Sequence, residues 1–375
     1  MGDDTDTAPL LQKLRAFADE AAGASPLYEH LARHAAEDQE VAGLLAAAEP
    51  EFRVPTLLFA AAHRLIQAEP FHPLANYYPS LGGTYGVDGQ TWPVFREFLL
   101  GRADQARKLI GTHTTQTNEV RRAAMIYPAV ALAAKQAGGA VGLLEVGTSA
   151  GLLLNLDRYA YWYQTEQAGQ IGVGPAKAAV GLHAALALAP GAELPVLPKK
   201  LTVRARVGLD RRPIDLGDED QFAWLEACVW ADQPERLRLL GAAAAVRRKH
   251  PPELLAGDAV DDLARAADRV PAELPLVVIN SHAVCYLSEP RRVAYVQELA
   301  RLAERRPLWW VCNEGYRAGP HLVLPGRADL ADADEAQYSG VLVLTRWERG
   351  EPVARALATT APHGQRLTWL PQPAG

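Results

Sequence analysis

The stretch that most constrains this chain is Val141 to Tyr163, VGLLEVGTSAGLLLNLDRYAYWY. An apolar run of strand length, Val141, Leu143, Leu144 and Val146, breaks into Gly147-Thr148-Ser149-Ala150-Gly151. The apolar pattern resumes at Leu152, Leu153, Leu154 and Leu156 and ends in Tyr159, Tyr161, Trp162 and Tyr163. That order reads as strand, small-residue turn and helix. Small residues let a ligand approach bare backbone, and amides opening a helix attract polar or anionic groups. Glu145 adds an acid two residues before the first glycine, so the stretch outlines a nucleotide- or nucleoside-binding first turn.

The pattern on either side of this stretch differs. Residues 1–138 read as helix after helix. Leu10, Leu11, Leu14 and Phe17 share a face, Ser25-Pro26 is a cap followed by proline at the first helical position, and 55–67 is a buried helix. Residues 92–110 and 117–136 read as two more helices. QAGGA at 136–140 marks a domain boundary, after which strands alternate with helices. The expected architecture is therefore α/β: a helical region, 1–138, followed by a Rossmann-like domain, 139–375, with a mostly parallel sheet and a closing antiparallel hairpin at 341–359. Residues 164–200 are poorly periodic and read as an inserted hairpin or loop, and 366–370 as a last edge strand.

Composition excludes several classes. A net charge of −6 and no basic run longer than Arg247-Arg248-Lys249 argue against nucleic acid as a partner. No uncharged apolar run approaches the roughly 20 residues that span a bilayer, so no membrane partner is expected. Cys228, Cys285 and Cys312 stand far apart in no metal-binding pattern, which predicts a reducing compartment without disulfides. With an acidic N-terminus, MGDDTDTAPL, a cytoplasmic protein is expected. His30 and His34 are four apart on a helix, but HExxH is absent and no third ligand is near, so no metal is expected. GxSxG and GxxxxGK[ST] are both missing, which speaks against a serine hydrolase and a P-loop.

In an open parallel sheet, ligands bind outside the carboxyl ends of the strands. The predicted ends carry Gly147, Thr148, Ser149 and Gly151; then Asp210; then Asp258 and Ala259; then Asn280, Ser281 and His282; then Glu314. Beyond the hydroxyls of the glycine turn, the other four of these five ends hold an acid, an amide or an imidazole. Two segments in the helical part are also rich in hydrogen-bonding side chains. The 72–85 loop, with Asn76, Tyr77 and Tyr78, reads as a substrate lid or a packed structural loop. The 114–122 segment, with Asn118, Glu119 and Arg122, reads as a helix start with more polar groups than capping needs.

Glu145-Val146-Gly147-Thr148-Ser149-Ala150-Gly151 resembles the first motif of class I S-adenosylmethionine-dependent methyltransferases. The resemblance implies that Glu145 and the turn contact the methionine part of the cofactor. It further implies that Asp210 holds the ribose, that Asp258 with Ala259 meets the adenine, and that Asn280, Ser281 and His282 line the transfer site. TQTNEVRRAA, LLEVGTSAGLLLNLDRY and VWADQPERLRLL together resemble an uncharacterised bacterial family, common in actinomycetes, with a helical region before a methyltransferase-like domain. Two features depart from the pattern. Asp210 follows Gly151 by 59 residues, where a compact unit places the ribose acid about 20 residues on. Ser149 also stands where a dinucleotide fingerprint has its second glycine, which argues against NAD.

The expectation is a methyltransferase for a small molecule held in a cleft between cap and sheet. His282 is the base, with Tyr286 on the same face, and Asn76, Tyr77, Tyr78, Asn118, Glu119, Arg122 and Glu314 contact substrate. The alternatives are a binding or regulatory protein on the same scaffold, and an enzyme using the pocket for non-methyl chemistry. The sequence leaves substrate and oligomeric state open.

Overall fold

The computed structural model describes residues 7–116, 118–331 and 340–372. Thr117, read above as a helix cap, lies outside the described residues. Six helices come first: α1 (Ala8–Ala21), α2 (Pro26–Ala35), α3 (Gln39–Gly43), α4 (Pro55–Gln67), α5 (Thr91–Leu100) and α6 (Ala103–Thr112). Helix α7 (Arg122–Gln136) precedes β1 (Val141–Val146), β2 (Ala160–Thr165), β3 (Gly169–Val173), β4 (Gly181–Leu188) and β5 (Val203–Asp210). Then come α8 (Glu219–Ala227), α9 (Pro234–Lys249), β6 (Glu253–Ala256), α10 (Leu263–Ala267), β7 (Leu276–Ser281), α11 (Glu289–Arg305) and β8 (Leu308–Glu314). The chain closes with β9 (Gly340–Glu348), β10 (Glu351–Thr360) and β11 (Arg366–Trp369).

Two compact units result: residues 1–118 with 216–240, and residues 119–215 with 241–375. This division differs from the expected 138/139 boundary in two places. Helix α7 belongs with the sheet, packing on β4, β7, β8 and β9. It buries nearly every residue from Ala123 to Ala134, and a helix apolar on all sides needs such cover. Residues 216–240 belong with the helices, because Trp224 and Ala231 sit in the helical core.

In the helical unit the expected caps form. Ser25 Oγ accepts from the Tyr28 amide at 3.1 Å and donates to the Asp232 carboxylate. Helix α4 buries Leu57, Leu58, Phe59 and His63 among the core side chains. The helix expected over 92–110 is two, α5 and α6, because the chain leaves helical geometry at Arg102. Its guanidinium turns instead to Glu69 and the Phe98 carbonyl. The 72–85 loop makes short turns at Pro73–Tyr77 and Pro79–Leu81, burying Leu74, Ala75, Tyr77 and Tyr78 and leaving Asn76, Thr84 and Tyr85 exposed.

The second unit holds an eleven-stranded sheet among the described residues, in the order β3-β2-β4-β11-β10-β9-β8-β7-β1-β5-β6. Strands β6, β5, β1, β7 and β8 are parallel neighbours. Every residue of β1 and β8 is buried, as is β7 up to Asn280, which fits strands covered on both faces. β9 and β10 form the expected hairpin. β11 is not an edge strand: it lies between β10 and β4.

The largest departure follows the glycine turn. No α-helix forms there; Leu153–Arg158 is a 3₁₀ segment, non-helical at Asn155, and the chain passes into β2. The aromatics explain this. Tyr159, Tyr161 and Tyr163 alternate with period two, a strand pattern. Their buried hydroxyls donate to the carbonyls of Leu152, Leu156 and Ala124, which ties the segment down as it stands. The expected insertion at 164–200 is larger than a hairpin: β2, β3 and β4 extend the sheet beyond β11. That excursion accounts for the long gap before Asp210.

Candidate functional site

Numbered among themselves by sequence, the five parallel strands run 3-2-1-4-5, so the order reverses at β1, flanked by β5 and β7. Clefts at such a switch point, outside the carboxyl ends, are where open α/β sheets bind ligands. The turn after β1 lies there. Gly147 donates to the Leu209 carbonyl at 2.8 Å and has φ 77°. A Cβ at Gly147 would lie 2.3 Å from that of Ala283 in the loop after β7, so glycine is required for the two loops to touch. Gly147 remains exposed to solvent. Gly151 is buried against Leu254 and Pro252, so its role is packing.

Asp210 ends β5 beside this turn. Its Oδ2 accepts from the Ser149 amide at 2.8 Å and its Oδ1 from the Arg212 amide at 2.9 Å. Each carboxylate oxygen has about two acceptor sites, so a half-buried Asp210 keeps capacity for a ligand hydroxyl. The bond from Ser149 fixes that residue in the left-handed region, φ 49°. Glu145 does not reach the surface: it is 4% exposed and accepts from Thr148 Oγ1 at 2.8 Å. Burial pushes its carboxyl up to about 8; the Thr148 bond opposes this and the nearby Asp210 charge adds to it. Glu145 supports the turn from beneath.

Asp258 lies at the end of β6, beside the half-buried Ala259, with its carboxylate engaged. It pairs with Arg211 at 3.1 Å and with Arg291, and accepts from the Val260 amide at 2.8 Å. Burial alone would raise its pKa; the Val260 amide, Arg211, the Asp261 amide and Arg291 together bring it down to about 2.

Beyond β7 and β8, the polar residues divide into two kinds. Glu314 is fully buried and accepts from the Ala283, Val284 and Cys285 amides and from Asn280 Nδ2. It organises the loop and presents nothing to a substrate. Asn280 is held by that bond and by one from Trp310 Nε1 at 2.5 Å. Ser281 Oγ accepts from Asn313 Nδ2 at 3.1 Å. His282 is different. Its backbone is left-handed, φ 52°, anchored by its amide on the Asn313 carbonyl at 3.1 Å. Its Nε2 is buried and has no hydrogen-bond partner. Burial, then Arg122 and His363, lower its pKa to about 3, which keeps the ring neutral at physiological pH.

The start of α7 and the β10–β11 turn meet near this ring. Arg122 Nε donates to the Pro362 carbonyl at 3.1 Å. His363 Nδ1 lies 3.9 Å from Glu119 Oε2. A Cβ on Gly364 would press on the Arg121 backbone at 2.4 Å, so a left-handed glycine there lets the turn sit close. Glu119 is buried.

Of the expected residues, the fold therefore gathers Gly147, Thr148, Ser149 and Asp210 at one strand end. It gathers His282, Glu119 and Arg122 at the next, and the contact of Gly147 with Ala283 joins the two groups. Tyr286 follows that loop but is 86% exposed. Asn76, Tyr77, Tyr78 and Asn118 belong to the helical unit. Tyr78 is fully buried, and Tyr77 is buried with its hydroxyl on Asp88 Oδ1 at 3.0 Å. Both read as substrate contacts in the sequence and are core side chains in the fold. His363 was missed: its only sequence signal is a polar turn, Ala361-Pro362-His363-Gly364. Arg211 and Arg291, the partners of Asp258, carried no signal.

Among the described residues no cluster of His, Cys, Asp or Glu could hold a metal ion. The three cysteines are unbridged, and no helix is long and apolar enough to cross a membrane.

An α/β protein with a polar strand-end site is the class these features define. The chain belongs to the family described as "Uncharacterized protein conserved in bacteria (DUF2332)", whose match spans residues 12–369. No curated protein matches the sequence.

Proposed function

We propose that the chain is an S-adenosylmethionine-dependent methyltransferase acting on a small molecule at the carboxyl ends of β1, β5 and β7. The observation that carries this reading is Asp210, placed on the strand beside β1 and bonded to the glycine turn. An acid there is suited to accept from vicinal ribose hydroxyls. Gly147, exposed and without a side chain, leaves room for the methionine part. Asp258 fits less well, since its oxygens already serve two arginines. When bound, the cofactor supplies an electrophilic methyl group. The chain has to align a nucleophile with it in a site shielded from water. His282 Nε2, neutral and unpartnered, is the group to accept the nucleophile's proton. Burial first, then Arg122 and His363, hold its pKa at about 3, so the ring is a weak base and suits a nucleophile that gives up its proton readily.

Calorimetry with S-adenosylmethionine and S-adenosylhomocysteine tests this. Wild type should bind both, and Asp210→Ala should bind at least about tenfold more weakly. No heat with wild type overturns it. A second reading, a binding or regulatory protein on the same scaffold, is favoured by the arginines on Asp258 and by the missing helix after the turn. It predicts binding of S-adenosylhomocysteine without methyl transfer to any small-molecule pool.

A further inference from the structure

The amino ends of the same strands carry a feature that the strand-end site does not use. A groove of about 790 Å³ lies at the last turn of α7, the 138–140 turn and the 198–204 segment entering β5. Its floor is small and apolar, with Ala131, Ala134 and Pro198; its rim holds Lys135, Lys199, Lys200 and Arg204, and no acid lines it. The chain has seven lysines against 31 arginines, and three of the seven meet here. Elsewhere in this unit arginines sit on carboxylates, as in Arg206 with Asp157 and Arg265 with Asp262. None of the four groove cations has such a partner among the described residues.

The backbone holds these charges together. Tyr127 Oη donates to the Pro198 carbonyl at 3.1 Å, and the Gly174 amide to the Lys199 carbonyl at 3.3 Å. The Val141 amide donates to the Thr202 carbonyl at 3.1 Å. The helix end offsets them only in part, since its dipole is worth about half a charge. The carbonyls of Ala133, Ala134 and Lys135 already accept from the amides of Ala137, Gly139 and Gly138. Four like charges gathered without counter-charges set up a positive field that an anion relieves.

We propose that this groove binds a small molecule carrying two or more phosphate groups, its body on the alanine–proline floor and its phosphates among Lys135, Lys199, Lys200 and Arg204. The volume is that of a small-molecule site. Lysine suits the task as a mobile point charge for phosphate. The net charge of −6 disfavours a long polyanion, which needs a positive track beyond the groove.

Titration calorimetry of the full chain with adenosine triphosphate, inorganic triphosphate and a single-stranded oligonucleotide tests this at low and at physiological salt. Adenosine triphosphate should bind more tightly than inorganic triphosphate, which lacks a body for the floor, and both should weaken as salt rises. Lys199→Ala/Lys200→Ala should weaken adenosine triphosphate at least about tenfold, and Lys135→Gln should weaken it in the same direction from the helix side. Lys13→Ala/Lys108→Ala, on exposed helix positions elsewhere, should leave it unchanged. Circular dichroism confirms that each variant is folded. No heat with adenosine triphosphate at low salt overturns the proposal. So does binding that survives in folded Lys199→Ala/Lys200→Ala, or an oligonucleotide that binds more tightly than adenosine triphosphate.

Discussion

Each unit holds a histidine with a ring nitrogen out of solvent, wholly buried His63 and half-buried His282, and the two are built in opposite ways. His63, in the helical unit, has both ring nitrogens engaged. Nδ1 lies 3.1 and 3.2 Å from the Ala227 and Val229 carbonyls, and Nε2 lies 2.8 Å from Ser80 Oγ. His282, at the strand ends, has a buried Nε2 with no partner and a left-handed backbone. Both rings are held neutral, His63 with a pKa lowered to about 4 and His282 to about 3, and burial is the main cause in each. Depressed basicity therefore does not separate a core histidine from a reactive one. Nor does an unmet nitrogen alone, since His30 Nε2 and the core hydroxyl of Tyr78 are also buried without partners; what sets His282 apart is its place at the strand ends on a left-handed backbone.

The largest expected effect is on His282. His282→Asn keeps a residue that tolerates the left-handed backbone and removes the base. Methyl transfer should fall by about 10²–10⁴-fold, while S-adenosylhomocysteine binding and the urea midpoint at neutral pH stay close to wild type. Loss of stability by more than about 1 kcal/mol, with activity retained, would place His282 with His63 as a structural group.

His63→Ala should act on stability alone. It leaves two buried carbonyls without their donor and opens a cavity in α4, for a cost of about 3 kcal/mol in urea unfolding. The pH dependence follows from linkage. His63 has a folded pKa of about 4 against an ordinary 6.5. Between those values the unfolded chain binds the proton and the folded chain does not. The stabilisation from a neutral His63 is therefore complete above pH 6.5 and is lost as pH falls towards 4, on the order of 3 kcal/mol in all. His63→Ala should flatten that acid limb; an unchanged limb would assign it to other groups.

Glu145→Gln gives a smaller effect of opposite sign. The Glu145 carboxyl is raised from 4.5 to about 8 in the folded state. The folded chain retains a proton that the unfolded chain loses, so stability falls as pH rises through that window. Glutamine keeps an acceptor for Thr148 and carries no charge, so the variant should be more stable by about 2 kcal/mol at pH 6 and equal to wild type near pH 4. Unchanged S-adenosylhomocysteine binding would confirm Glu145 as a support beneath the turn. A tenfold loss would restore the sequence-based expectation that it touches the cofactor.

What the sequence made legible was set by local chemistry. The cap at Ser25-Pro26, the β9–β10 hairpin and the residues at each strand end were readable because each depends on neighbours in sequence. The segment after Gly151 was misread because its leucines fit a helix, while the deciding bonds, from Tyr163 to Ala124 for example, reach 39 residues away. Strand-end residues could be found but not sorted. Asp210, Asp258, Asn280 and Glu314 look equivalent in one dimension. Arg291 and Arg211 engage Asp258, the 283–285 amides engage Glu314, and only the fold brings those partners in. His363 was invisible for the same reason, since its neighbour Glu119 is 244 residues distant.

The smallest effect is expected at Tyr78, where the sequence suggested a ligand contact. Its ring is wholly buried and 5.4 Å from that of His63, and its hydroxyl has no hydrogen-bond partner. Burial raises its pKa far beyond the physiological range, so the hydroxyl stays protonated. Removing an unpaired buried hydroxyl forfeits no bond and lifts a desolvation cost. Tyr78→Phe should therefore leave cofactor binding and turnover unchanged and shift unfolding by no more than about 0.5 kcal/mol, in the stabilising direction. Tyr78→Ala, by contrast, should cost about 3–5 kcal/mol, because it empties a core site. If Tyr78→Phe instead lowered turnover at full stability, the hydroxyl would have to reach a ligand, which would favour the lid reading of the 72–85 loop.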